Sequence, residues 1–286
     1  MIRFMSEERP ETKSLIDKVL DIDSRVIFLL LAVVLIVPIA RPIGFPISVS
    51  HYTADLYSYT EGLESGSLVL FWNGMGWGWW PSEYRPATIA FTQYLIDNGI
   101  KFISVSGGPD DPLIWDHIVT DILDLKDYEY GVDYLILGYL PGAEAAKASF
   151  ASDIHTLVKK DYLQGKTMDQ FPIMDGVEDA TAFDLVVEIS STPAEIIIRQ
   201  FYTAYDIPVG LIGSAGMFSD FLPFYASKQI VGFTCGLSGG AELEYLTNSP
   251  RWGIAALDAL STSHILMVIL ICFSNALYLI KKRKVT

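Results

Sequence analysis

Five short, mostly apolar runs recur through the middle of the chain: SLVLFW (67–72), KFISVS (101–106), DYLILGY (133–139), DLVVEIS (184–190) and IPVGLIG (207–213). They are rich in β-branched and aromatic residues, and their near-continuous apolar character fits strands covered on both faces. Between and after them the period lengthens to that of helices, over 87–98 (closing at Gly99), 112–124, 142–157, 193–205 and 218–227. Parallel strands need crossover connections, and right-handed crossovers place helices on both sides of a sheet. The alternation therefore predicts a three-layer, doubly wound α/β domain with a mostly parallel five-stranded sheet. Pro112 and Pro193 stand near first-turn positions, where a missing amide costs nothing, with Asp110, Asp111 and Thr192 as cap candidates. The long connection from 159 to 184 has room for a short helix at 177–182.

Two further apolar blocks flank this region. VIFLLLAVVLIVPIA (26–40) lies between Arg25 and Arg41. Fifteen residues at a rise of ~1.5 Å span roughly 22 Å, short of the ~30 Å hydrocarbon core, so Arg41 has to snorkel or the bilayer has to thin. A cleaved signal peptide is the competing reading. The acidic leader (Glu7, Glu8, Glu11, Asp17, Asp21, Asp23) and Pro38 near the would-be cleavage site favour an uncleaved anchor. The second block, 257–280, ends on Lys281, Lys282, Arg283 and Lys284, as a stop-transfer helix does. Lys13, Lys18, Arg25 and the four terminal cations outnumber Arg41 and Arg251, which predicts cytoplasmic tails and an extracytoplasmic central domain in the cell membrane. The expected order is a tail over 1–25, a transmembrane helix over 26–42, a tether over 43–66 and the α/β domain over 67–247. A linker over 248–256, a transmembrane helix over 257–280 and a basic tail over 281–286 complete it.

Composition sharpens this picture in two places. With 34 acidic against 20 basic residues in 286, and a net charge of -14, the chain lacks the basic stripe that nucleic acid requires. The expected partners are instead the lipid bilayer and a membrane protein or a second copy of the chain. Cys235 and Cys272 fall in different regions, so they make no disulfide framework.

The segments YGVDYLILGYLPGAEAA (130–146), FPIMDGVEDATAFDLVV (171–187), IRQFYTAYDIPV (198–209) and LPFYASKQIVGFTCGLSGGAELEYL (222–246) resemble a group of uncharacterised prokaryotic membrane proteins with a Rossmann-like domain between terminal transmembrane helices. The likeness covers roughly residues 65–280, and its most specific parts are the GY-x-PG-x-EA turn and the Gly-rich run before AELEYL. It implies a Rossmann/flavodoxin-like architecture with two transmembrane helices, and no activity. Ser238 and Gly239 depart from the pattern, which has a basic and a small residue there.

In an open α/β sheet, ligands bind beyond the carboxyl ends of the strands. There the turn Gly138–Glu144 offers the Gly142 amide and Glu144 to an anion at a helix start, with dipole compensation by Glu144 as the plainer reading. Asp110 and Asp111 with Glu144 would suit a hard cation if their strands are neighbours, although Gly-Gly-Pro-Asp-Asp-Pro is also ordinary turn chemistry. No dinucleotide fingerprint or Walker motif follows any strand, which leaves the cofactor open. Thr192 and Ser214 sit at strand ends, Ser214 where a nucleophile elbow would lie, but Ile212 breaks G-x-S-x-G and no histidine has triad spacing. Trp77, Trp79 and Trp80 crowd a glycine-rich loop and are interface candidates, against a loop packed on the sheet edge. Gly232, Gly236 and Gly240 would form a small-residue stripe if QIVGFTCGLSGGAELEYL is helical, and mere turn glycines if it is not. Three functions remain in view: a two-pass membrane protein binding a small ligand or protein partner, an anchored hydrolase or transferase using the sheet edge, and a structural scaffold.

Overall fold

A computed structural model describes residues 22–249 and 251–285. The expected amino-terminal tail, up to residue 21, lies outside the described residues, as do Pro250 and Thr286. The chain forms two compact units, Phe45–Leu257 and a second one from Met1–Gly44 with Asp258–Thr286. Its helices are α1 (Ser24–Ala40), α2 (His51–Glu61), α3 (Arg85–Asp97), α4 (Asp111–His117), α5 (Glu144–Ser152), α6 (Ile154–Leu157), α7 (Glu195–Ile197), α8 (Phe218–Ala226), α9 (Gly236–Leu246) and α10 (Trp252–Val285). The strands are β1 (Leu68–Gly74), β2 (Lys101–Ser106), β3 (Tyr134–Tyr139), β4 (Leu185–Ser190), β5 (Val209–Gly213) and β6 (Gly232–Cys235).

All strand pairs are parallel, in the order β3-β2-β1-β4-β5-β6. This is the doubly wound Rossmann order, in which the winding reverses between β1 and β4. Strand alternation builds the layers. Leu68, Leu70 and Trp72 of β1 enter a core with Phe150 of α5 and Ile197 of α7, while Val69 and Phe71 enter another with Phe91 of α3 and Trp115 of α4.

The five expected strands form, and a sixth joins them. The expectation of five is corrected by β6, whose four residues GFTC begin with glycine inside a run that reads as helix or loop. The expected tether is corrected as well. Residues 51–61 fold as α2, whose Thr53, Leu56 and Thr60 are buried, and Leu56 closes over Gly232 so tightly that a Cβ there would clash with the Leu56 backbone. Two expected helices are shorter than their sequence period: α4 and α7 pass into π-helical turns at Ile118–Ile122 and Ile198–Thr203.

The expected linker shrinks because α10 already begins at Trp252. Its start is capped by buried Glu244 of α9, whose carboxylate accepts from the amides of Arg251 (3.0 Å), Gly253 (2.7 Å) and Ile254 (2.9 Å). A carboxylate at a helix start satisfies orphan amides and opposes the helix dipole.

Among the described residues, α10 alone is long and apolar enough to cross a membrane. The expectation of two such spans is corrected, since the 17 residues of α1 reach roughly 26 Å. Pro38 continues α1 without the amide that would bond the Val34 carbonyl one turn back. The Thr262 hydroxyl of α10 lies 3.2 Å from that carbonyl, and 2.9 Å and 3.0 Å from those of Asp258 and Ala259 in its own helix. In hydrocarbon such a donor satisfies a backbone group that water cannot reach.

A candidate ligand cavity at the sheet reversal

Where β1 and β4 lead their crossovers to opposite sides, their carboxyl ends border a cavity of about 380 Å³. Its walls are largely apolar, from Trp72, Met75, Trp79, Leu140 and Ile196. Polar groups enter from one side. Lys147 of α5 places Nζ 2.5 Å from Glu188 Oε1 of β4, with side chains only 6% and 2% exposed. Thr192 Oγ1 donates to the same carboxylate oxygen at 3.0 Å and lies 2.7 Å from Ser190 Oγ. The Lys147 ammonium also lies 5.6 Å from the centroid of the Trp72 ring. Burial raises the Glu188 pKa above the usual carboxylate range, against the opposing pull of Lys147 and the hydroxyls of Thr192 and Ser190. An ammonium has three N–H groups, and Glu188 is the one protein acceptor bonded to Lys147 among the described residues.

Asp111, which does not itself line the cavity, holds the lining residues Met75, Gly76 and Gly108. It is fully buried and caps no helix; Oδ1 accepts from the amides of Met75 (3.0 Å) and Gly76 (2.9 Å), and Oδ2 from Gly108 (3.0 Å). Burial raises its pKa, and the three amides oppose that rise. These amides lie in the loops after β1 and β2, where doubly wound folds present backbone N–H groups to phosphates. Asp111 occupies this nest with its own two side-chain oxygens.

The remaining sequence candidates separate. Asp110 is exposed. Glu144 is held by Arg199 Nη1 (2.9 Å) and Gln200 Nε2 (3.0 Å), so it does not join Asp111. No three acids, histidines or cysteines converge as a metal site among the described residues. Gly142, at φ 125°, and Ala143, at φ 49°, form the turn into α5, where the Gly142 carbonyl accepts from the amides of Ala145 and Ala146. Ala143 itself lines the cavity.

Ser214 accepts from Ser191 Oγ at 2.8 Å, and Tyr84 Oη lies 2.5 Å from that Ser191 Oγ. Burial raises the Tyr84 pKa, so this hydroxyl chain ends in a phenol that keeps its proton. The nearby Glu83 carboxylate accepts instead from the Ala215 amide. Ser214 thus has no base beside it among its hydrogen-bond partners.

The tryptophan loop divides. Trp77 and Trp79 are 43% and 62% exposed, and Trp79 borders the cavity, whereas Trp80 is 2% exposed within the core. The three glycines do not make one stripe: Gly232 begins β6, Gly236 begins α9 at φ 59°, and Gly240 meets Pro86 and Ala87 of α3. They permit contacts inside the fold.

Lys147 and Glu188 belong to no sequence motif. One signal was present, an acid in the apolar run DLVVEIS, since a charge at a strand position covered on both faces requires a partner. Asn73, at the end of β1, donates to Ser104 Oγ and the Val105 carbonyl, and its buried Oδ1 has no hydrogen-bond partner among the described residues.

No family model, curated protein or solved structure matches this chain.

Proposed function

We propose that this chain is a membrane-anchored binding protein whose cavity at the sheet reversal takes a small uncharged ligand. The observation that carries this reading is Asp111: its carboxylate fills the backbone nest that would otherwise receive a phosphate. Beyond it lie aromatic and aliphatic walls and one polar group of donors and acceptors, the form of a site that holds an apolar body and orients it by a few hydrogen bonds. The ligand has a planar or hydrocarbon body for Trp72, Trp79 and Leu140. Its head carries an oxygen that accepts from Lys147 and a hydroxyl or N–H that donates to Glu188. A hydrolase reading has less support, because Ser214 lacks a base. In the proposed arrangement α10 crosses the bilayer with α1 inserted beside it, as in the prokaryotic group that the sequence resembles.

Native mass spectrometry of the full chain purified in detergent tests the site. A neutral small molecule is expected to co-purify with the wild type and to be lost from Ile196→Trp, which narrows the cavity. ATP and NAD should not displace it. Saturable nucleotide binding that Ile196→Trp abolishes would overturn the reading.

The excess of cations on the tail side supports an extracytoplasmic α/β unit. In intact cells a membrane-impermeant thiol reagent is expected to label Lys166→Cys and spare Lys282→Cys, both in a Cys235→Ser, Cys272→Ser background. The opposite pattern would reverse the orientation.

A further inference from the structure

A second cavity, of about 120 Å³, lies at the carboxyl end of β6, between the starts of α2, α8 and α9. Its lining contains one charged side chain, Glu242 of α9, which is buried. Glu242 Oε2 accepts from Ser50 Oγ (2.7 Å) and the Ser50 amide (3.2 Å), and Oε1 has no hydrogen-bonded protein donor among the described residues. No cation pairs with this carboxylate among the described residues, and its Oε1 keeps contact with solvent at the cavity. Around it stand hydroxyls of Thr53, Thr234 and Ser238. The rest of the wall is aromatic: Tyr52 stacks on Phe233 at 4.7 Å, and Phe218 meets these rings edgewise at 5.4 and 5.5 Å. Cys235 completes it, its thiol pushed up to about 12, chiefly by burial, with Glu83 and Glu242 adding to the rise. It therefore keeps its proton and adds no second anion.

A carboxylate short of a cation, hydroxyl lone pairs and ring faces is the chemistry that receives an organic ammonium group. An anion is repelled by Glu242. The volume exceeds the ~30 Å³ share of one water molecule and is too small for an extended ligand.

We propose that this cavity binds a small primary ammonium ion, with Glu242 carrying the charge, the threonine and serine hydroxyls accepting the remaining N–H groups, and Tyr52, Phe218 and Phe233 enclosing the carbon. This site is separate from the one between β1 and β4 and does not depend on it.

The test is thermal unfolding of the full chain in detergent, with methylammonium chloride against sodium and potassium chloride at equal ionic strength. Methylammonium at millimolar concentration is expected to raise Tm by several degrees, saturably, and tetramethylammonium, which has no N–H, to do less. Glu242→Gln keeps an acceptor for Ser50 but removes the charge, and the shift should vanish. Ser238→Val, which replaces an exposed lining hydroxyl with hydrocarbon without touching the Ser50 contact, should also reduce it and serves if Glu242→Gln does not fold. An equal shift from sodium or potassium would mean an alkali-ion site and overturn the proposal, as would no methylammonium shift in the wild type or a full shift in either variant.

Discussion

Lys147→Met is expected to lower the stability of the α/β unit by about 3–5 kcal/mol, because it leaves a Glu188 side chain that is only 2% exposed without its cation. For a unit of this size that corresponds to a fall in Tm of roughly 6–20 °C, at ~2–4 °C per kcal/mol. The loss should depend on pH in a defined direction. Glu188 has its pKa raised by burial above the ordinary 4.5, so its proton is held more tightly folded than unfolded. Its contribution to stability is full below that ordinary value and declines as pH rises through the folded one. Without Lys147 that decline steepens, so the gap between wild type and variant should be wide at pH 7.5 and narrow at pH 5. Lys147→Met with Glu188→Leu should recover much of the loss, since removing both charges also removes their desolvation cost. Calorimetry across this pH range decides the matter. A gap that does not change with pH would mean that Lys147 contributes packing against Trp72 instead of charge.

The second large effect is expected from Asp111→Ala. It leaves the amides of Met75, Gly76 and Gly108 without their acceptor. Each orphaned donor costs ~1–3 kcal/mol, partly recovered where water enters, for a total of about 3–5 kcal/mol. The emptied nest should then behave as the anion site that doubly wound folds place there. Phosphate or sulfate at millimolar concentration should raise the Tm of Asp111→Ala more than that of the wild type. Asp111→Asn, which retains one acceptor oxygen, should show a smaller loss and less rescue. Equal anion effects on all three proteins would show that these amides do not form a nest, and would remove the main support for an uncharged ligand.

Much of the α/β framework is legible along the chain because burial on both faces leaves a local mark. β1 to β5 each fall within two residues of an apolar run, since strands flanked by helix layers are mostly apolar on both sides. β6 leaves no such mark. It has four residues and one neighbouring strand, and its glycine is required by the approach of Leu56 from α2, a contact made across a long sequence separation. α2 escapes for the matching reason: HYTADLYSYTE is polar overall, and only its docking identifies Thr53, Leu56 and Thr60 as the inward face. The apolar blocks at both ends are visible as composition, but length separates α10 from the 17-residue α1 as a span.

The candidate cavity divides along the same line. Its position follows from the parallel order, because a sheet that reverses its winding opens a cleft where the crossovers part. Its chemistry does not follow from any motif. Lys147 and Glu188 are 41 residues apart and meet because α5 covers β4. Asp111 reads as a helix cap but turns its carboxylate toward amides 35 and 36 residues earlier. Trp79 and Trp80, adjacent in the chain, part into solvent and core where the π-helical turn Trp80–Tyr84 begins. The sequence alone determined the alternation of strands and helices, the apolar ends and the acidic charge, all of which are sums over neighbouring residues. Which polar groups face one another was decided by tertiary structure, since the cost of burying a charge is offset only by partners that folding brings within hydrogen-bonding distance.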